Sequence, residues 1–275
     1  MTQTGFAALN DTRFYYEVAG ERREGHPLVL LHGGLVDRRL WDDQFDVFAQ
    51  HYKVIRFDMR GFGDSGLLKT DTKPYSQRQD LYALLQFLGI EKTYLIGLSM
   101  GGALAVDFTL EHPEMVDALI TVGAGLSGFE NEDSSNALWA EADEAFKQRD
   151  IARAVEITLR IWTDGPSRSP EGVDPGVRER VRVMSTRNFS RPDDEDAPEP
   201  LELVPPAISR LSEIHVPTLI VVGDQDVHDI LTIGDILERG IAGAKKVAIP
   251  GTAHHLNMEK PGEFNRVVLD FLGGL

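Results

Sequence analysis

Ser99 stands in the stretch "YLIGLSMGGALA" (94–105), with Gly97 two residues before it, Gly101 two after it, and a further glycine at Gly102. The residues in front read as a buried strand and those behind as a helix. A nucleophilic hydroxyl at such a junction must project into a cleft from a turn tighter than most side chains allow. Glycines on both sides relieve the crowding. The following helix then aims its free N–H groups at any oxyanion that forms. Glycine-rich strand-to-helix turns also cradle phosphates, but this one has neither the P-loop lysine nor the dinucleotide glycine spacing. The spacing points to Ser99 as a nucleophile.

A serine hydroxyl needs a base, and the base needs an orienting acid. There are eight histidines. His26, His51, His112 and His215 occupy polar or pre-proline positions and read as surface residues, and His228 sits just after a strand end. His254 and His255, in "IPGTAHHLNMEKP", follow a strand and its turn, where a loop reaches over a sheet. Adjacent side chains diverge, so one of the two is expected to face Ser99. For the acid, "VVGDQD" carries Asp224 and Asp226 just past a strand, on the rim where open α/β sheets bind ligands. Asp224 directly follows Gly223 and reads as a turn residue, which leaves Asp226 to reach the imidazole. Oxyanion donors are expected from "LLHGGL": the backbone N–H of Gly34, with Leu35 the next choice, paired with that of Met100. His32 is expected to brace this loop by hydrogen bonds.

These residues require a particular scaffold. Short apolar runs bounded by turn signals recur at "HPLVLLHGG", "YKVIRFDMRGFG", "KTYLIGLS" and "VDALITVGAG", and again at "VPTLIVVGDQD" and "KKVAIPG". None alternates, which is the pattern of strands buried on both faces. Helix-like stretches separate them, including "QRQDLYALLQFLGI", where Gly89 lies at the C-terminal cap position. Strands alternating with helices predict an α/β fold with a mostly parallel, doubly wound sheet. The pattern breaks at 128–205. That span reads as a helical insertion, with 1–127 and 206–275 forming the core domain. Ile151, Ala154, Val155, Thr158, Leu159 and Trp162 make a one-sided stripe there, and Val177, Val181 and Met184 make another. Such stripes either pack the insertion down or line a pocket. "SRPDDEDAPEPLELVPP" (190–206) is expected to be irregular. Arg160, Arg187 and Asn188 are the insertion's candidates for holding a substrate carboxylate.

The 275 residues suit one large domain with an insertion and contain no cysteine, which excludes disulfides, a cysteine nucleophile and a thiolate metal site. The net charge of −16 disfavours nucleic acid as a partner. The N-terminal stretch lacks a basic segment followed by an apolar one, and no apolar run suffices to span a bilayer. A cytoplasmic protein without a membrane partner is expected.

Taken together, "HGG" (32–34), "FDMRGFGDSG" (57–66), "GLSMGG" (97–102), "GDQD" (223–226) and "AHHLNMEKP" (253–261) resemble the α/β-hydrolase superfamily over nearly the whole chain. The order Ser, Asp, His matches that family. The resemblance implies that the catalytic histidine stands five residues before a glutamate closely followed by proline. Counting back from Glu259 and Pro261 selects His254 over His255. It further implies that the insertion is a cap over the active site and that Asp58 is structural. Within the superfamily the sequence looks similar to bacterial carboxylesterases and to the 3-oxoadipate enol-lactonase group. The resemblance thus implies a Ser99–His254–Asp226 serine hydrolase of small esters or lactones, using no cofactor and no metal. The alternatives are cleavage of an enol-lactone or of a carbon–carbon bond on the same triad, or a non-catalytic ligand receptor of this fold.

Overall fold

Strand β1 (Gln3–Leu9) and strand β2 (Thr12–Ala19) pair antiparallel across Asn10 and Asp11. Both turn residues have positive φ, 49° and 60°. That backbone is the tight hairpin turn whose twist matches the flanking strands. This hairpin is absent from the elements expected above, although Asn-Asp between two alternating runs is its signal. The computed structural model describes residues 2–21, 25–69, 71–130, 137–192 and 197–275.

The chain continues through β3 (Leu28–Leu31), α1 (Asp42–Phe48), β4 (Val54–Phe57), α2 (Gln77–Phe87), β5 (Thr93–Leu98), α3 (Met100–Glu111) and β6 (Val116–Val122). Three helices follow, α4 (Ala137–Lys147), α5 (Ile151–Thr158) and α6 (Pro175–Phe189), with a π-helical turn at Leu159–Asp164. The sheet then resumes with β7 (Thr218–Gly223), α7 (His228–Gly240) and β8 (Lys245–Ile249), and the chain ends in α8 (Leu256–Glu259) and α9 (Pro261–Leu272). The eight strands lie in the order β1-β2-β4-β3-β5-β6-β7-β8. Only the pairings of β2 with β1 and β4 are antiparallel.

Strand side chains alternate between two cores. Val29 and Leu31 face α2, α3 and α7, whereas Leu28 and Leu30 face α1 and α9. Gly89, at φ 67°, ends α2 as expected. One expectation fails in detail: β8 is the sheet edge and is partly exposed rather than buried on both faces.

The strand order places the site. From β3 the chain runs outward to β4 on one side and returns to β5 on the other. Connections leaving the C-terminal ends of β3 and β5 therefore diverge and open a crevice between them. Ser99 immediately follows β5, and the His32–Gly34 loop follows β3.

Within 128–205 the described residues form helices and turns but no strand. Asp174 caps α6 by accepting from Gly176 N and Val177 N at 2.7 and 3.2 Å, and Pro175 occupies the first turn. On the expected stripe Ala154, Val155, Thr158 and Leu159 are buried. Residues 197–206 are irregular; 193–196 lie outside the described residues.

Candidate active site

Ser99 has φ 54° and ψ −116°, a backbone that L residues rarely adopt. Backbone hydrogen bonds on both sides hold it there. Ser99 N donates to Val122 O at 3.0 Å, while its carbonyl accepts from Ala103 N at 2.9 Å and Gly125 N at 3.1 Å. The flanking glycines are required by contact. A Cβ on Gly97 would collide with the backbone of Gly101 and Gly102, and one on Gly101 would collide with the carbonyls of Leu31 and His32. Strand and helix are packed too closely for either to carry a side chain.

Asp226 follows β7 with its side chain fully buried. Its Oδ1 accepts from Val227 N at 2.8 Å and its Oδ2 pairs with His254 Nδ1 at 2.9 Å. An ionised carboxylate only accepts, so Nδ1 carries the imidazole proton and Nε2 is left as the basic nitrogen. Asp224 is exposed and serves the turn instead, its Oδ1 accepting from Gly251 N at 2.6 Å across the β7–β8 connections.

His254 is also fixed from the inserted helices. Its backbone N–H donates to Trp162 O at 3.2 Å, and the two rings lie 4.3 Å apart. Trp162 therefore lines the site rather than merely packing the insertion down. His255 departs from expectation. It lines the same cavity as Ser99 and His254, so both histidines reach it. Both rings are buried, yet only His254 meets a carboxylate. His255 Nδ1 pairs with Thr163 Oγ1 at 3.1 Å. Burial, and secondarily His254 beside it, push its pKa down to about 3, so it is held neutral. His26 and His112 are half-buried rather than surface residues; His26 pairs with Asp117 and His112 stacks on Tyr82.

The loop after β3 is braced by His32, as its position suggests. Met59 N–H donates to His32 Nε2 at 2.9 Å, which leaves Nδ1 to donate to Gly33 O at 2.7 Å. Asp58 accepts from Arg38 N at 2.9 Å, Arg38 Nη1 at 2.6 Å and Asp64 N at 2.8 Å, fastening the next loop. Gly34 and Leu35 both line the cavity, and Leu35 has φ 69°. A Cβ at Gly34 would meet no atom within 4 Å. Met100 is the first residue of α3, where a backbone N–H has no partner within the helix.

The three candidates for a substrate carboxylate go elsewhere. Asn188 Nδ2 donates to Leu35 O and Val36 O at 3.1 and 3.0 Å, and its Oδ1 accepts from Gly63 N at 3.0 Å. It holds the β3 loop. Arg187 pairs with Asp64, and Arg160 lines a separate cleft of about 500 Å³. Arg168, not singled out in the sequence, ties the insertion to the histidine loop through Glu259. No local signal marks it, because its carboxylate partner lies 91 residues away in sequence.

The cavity at Ser99 holds about 250 Å³. The core contributes Ser99, Met100, Gly34 and His254, and the inserted helices contribute Trp139, Thr158, Trp162, Val181 and Ser185. Larger clefts of about 500 and 630 Å³ do not contain Ser99. A buried imidazole oriented by a carboxylate, beside a serine at a helix N-terminus, can transfer a proton and stabilise an oxyanion.

Residues 26–261 match the family model described as alpha/beta hydrolase fold. The chain belongs to that family. A relative from Comamonas testosteroni, a 2-hydroxy-6-oxo-6-phenylhexa-2,4-dienoate hydrolase, is 29% identical, the match covering 96% of this chain and 92% of that protein. A crystal structure of a hydrolase from Pseudomonas aeruginosa PA01 superposes with a TM-score of 0.76 at 26% identity, covering 98% of each chain. The enol-lactonase from Burkholderia xenovorans LB400 shares the fold with a TM-score of 0.77 at 23% identity, over 98% of this chain and 100% of its own. No helix among the described residues is long and apolar enough to cross a membrane.

Proposed function

We propose that this chain is a serine hydrolase of small carboxylic esters or lactones, working through an acyl-enzyme with Ser99, His254 and Asp226 as its triad. The observation that carries the reading is the shared cavity. Ser99, on its strained turn, and His254, hydrogen-bonded to buried Asp226, line one pocket of about 250 Å³. In this mechanism Ser99 Oγ attacks the acyl carbonyl as His254 Nε2 takes its proton. The N–H groups of Gly34 and Met100 stabilise the oxyanion. His254 then protonates the departing alcohol, and water, deprotonated by the same imidazole, releases the acid. Asp226 keeps the imidazole in the required tautomer and stabilises its charged form.

Residues 128–205 act as the cap. The cavity volume suits short acyl groups, and its walls are mostly apolar, which favours neutral esters over long lipids. A second reading, hydrolysis of a carbon–carbon bond on the same triad, draws support from the 29% identical dienoate hydrolase. The deciding experiment compares release of acid from ethyl butanoate with hydrolysis of a 2-hydroxy-6-oxo dienoate, each with wild-type protein and Ser99→Ala. Ester turnover that depends on Ser99 supports the first reading. Turnover of the dienoate alone establishes the second, and turnover of neither overturns both.

A further inference from the structure

Ser185 lies on α6, is 1% exposed, and lines the cavity that holds Ser99. Among the described residues its hydroxyl has no hydrogen-bond partner. A buried helical serine or threonine ordinarily turns back to the carbonyl four residues earlier. Thr158, on the facing helix α5 and the same cavity wall, does so, bonding Ala154 O at 2.7 Å. Ser185 does not. A buried hydroxyl without a partner has given up its water for nothing, a cost that an oxygen on a bound ligand would remove. Other buried side-chain atoms without partners, such as Trp41 Nε1 and Thr121 Oγ1, lie away from this cavity; among the described residues Ser185 alone of that group lines it.

The charges around the cavity narrow what the hydroxyl would meet. Among the described residues no lysine or arginine lines it; Arg187 is engaged by Asp64 and Arg160 faces another cleft. A carboxylate bound there would have no cation to compensate its desolvation. The remaining walls at this end, Val181, Trp139 and Trp162, are largely hydrocarbon. A wholly apolar acyl chain would fill the volume but leave the hydroxyl unpaired.

We propose that Ser185 is a specificity residue that pairs with an uncharged oxygen, a carbonyl or a hydroxyl, carried on the acyl chain of the substrate. The preferred substrates are then esters or lactones of short oxo- or hydroxy-acids. The inference rests on the serine hydrolase reading and narrows its substrate class.

The test follows acid release from ethyl butanoate, ethyl 3-oxobutanoate and ethyl 3-hydroxybutanoate by wild-type protein, Ser185→Ala and Ser185→Cys. For each oxygenated ester, kcat/KM is divided by that for butanoate, and each ratio is then compared between wild type and variant, which cancels intrinsic reactivity. Ser185→Ala is expected to lower at least one ratio about tenfold, the loss of one hydrogen bond. Ser185→Cys, a weaker donor of similar shape, should fall between. A fall for the oxo ester alone identifies a carbonyl partner, and one for the hydroxy ester alone a hydroxyl. Thermal unfolding gives an independent reading. Removing an unpaired hydroxyl should leave the Tm of Ser185→Ala unchanged or raised, whereas a structural serine would lower it. Ratios that do not change, or a lowered Tm with equal losses on all three esters, overturn the proposal. Failure of wild-type protein to hydrolyse any of the three overturns the hydrolase reading along with it.

Discussion

Arg168 grips Glu259 through both ends of its guanidinium, at 2.6 and 3.1 Å, and so ties the inserted helices to the loop that carries His254. The same arginine donates to the carbonyls of Thr163, Asp164 and Gly251. Glu259 in turn accepts from Ala253 N at 2.8 Å, one residue before His254. The glutamate five residues past the histidine thus closes the loop on itself and offers the insertion a handle.

Arg168→Gln is therefore expected to leave a buried carboxylate without its cation and to lower the unfolding free energy by about 3 kcal/mol. Because the loop carrying His254 loosens, kcat on a short ester should fall at least about tenfold below the new melting range, with a smaller change in KM. Arg168→Lys cannot reproduce the forked contact and should recover little. Denaturant titration and steady-state kinetics read both effects. An unchanged kcat would show that the loop holds its position without the insertion.

The two histidines separate cleanly by variant. His254→Ala should lower kcat/KM by several orders of magnitude, since no other imidazole lining this cavity is oriented by a carboxylate. His255→Ala should cost far less. Asp226→Asn should cost on the order of a thousandfold or more by presenting the wrong tautomer, and Asp224→Asn much less, because it serves a turn. Kinetics of the four variants check the order, and a reversed ranking of His254 and His255 would overturn the assignment.

Ser99 stores backbone strain. Ser99→Ala and Ser99→Gly should both abolish turnover. Glycine alone relaxes at φ 54°, so Ser99→Gly is expected to be more stable than Ser99→Ala by about 1 kcal/mol. Equal stabilities in a denaturant titration would mean that the turn is not strained in solution.

Stability should fall on mild acidification. The pKa of His255 is pushed down to about 3 by burial, and that of His32 is lowered for the same reason. His255 remains neutral in the folded protein well below the pH of about 6.5 at which the unfolded chain begins to bind its proton, and the lowered pKa of His32 acts in the same direction. Their contribution is thus fully present above that pH and is lost progressively beneath it. His255 adds a slope of about 1.4 kcal/mol per pH unit once its unfolded form is protonated. His255→Gln should flatten the profile of unfolding free energy between pH 6 and 5 by up to that amount. An unchanged slope would show that His255 takes up its proton without unfolding.

Much of the site is legible in the sequence because its parts are local. The glycines about Ser99 report a close approach within a few residues of it, Asp226 stands at a strand end, and uninterrupted apolar runs identify strands with two covered faces. The N-terminal hairpin is harder to see because its alternating runs contain tyrosines and charges, with only the Asn10–Asp11 turn to mark it. What the sequence cannot decide is which distant side chains meet. Arg187 and Asn188 are consecutive residues on one helix, yet one answers Asp64 and the other the β3 loop. Trp162 ends a stripe that would serve a buried seam equally well, and only packing turns its ring onto His254. Periodicity records which face of a helix is covered; what covers it depends on contacts between segments far apart in the chain, and these exist only once the sheet and the inserted helices have come together.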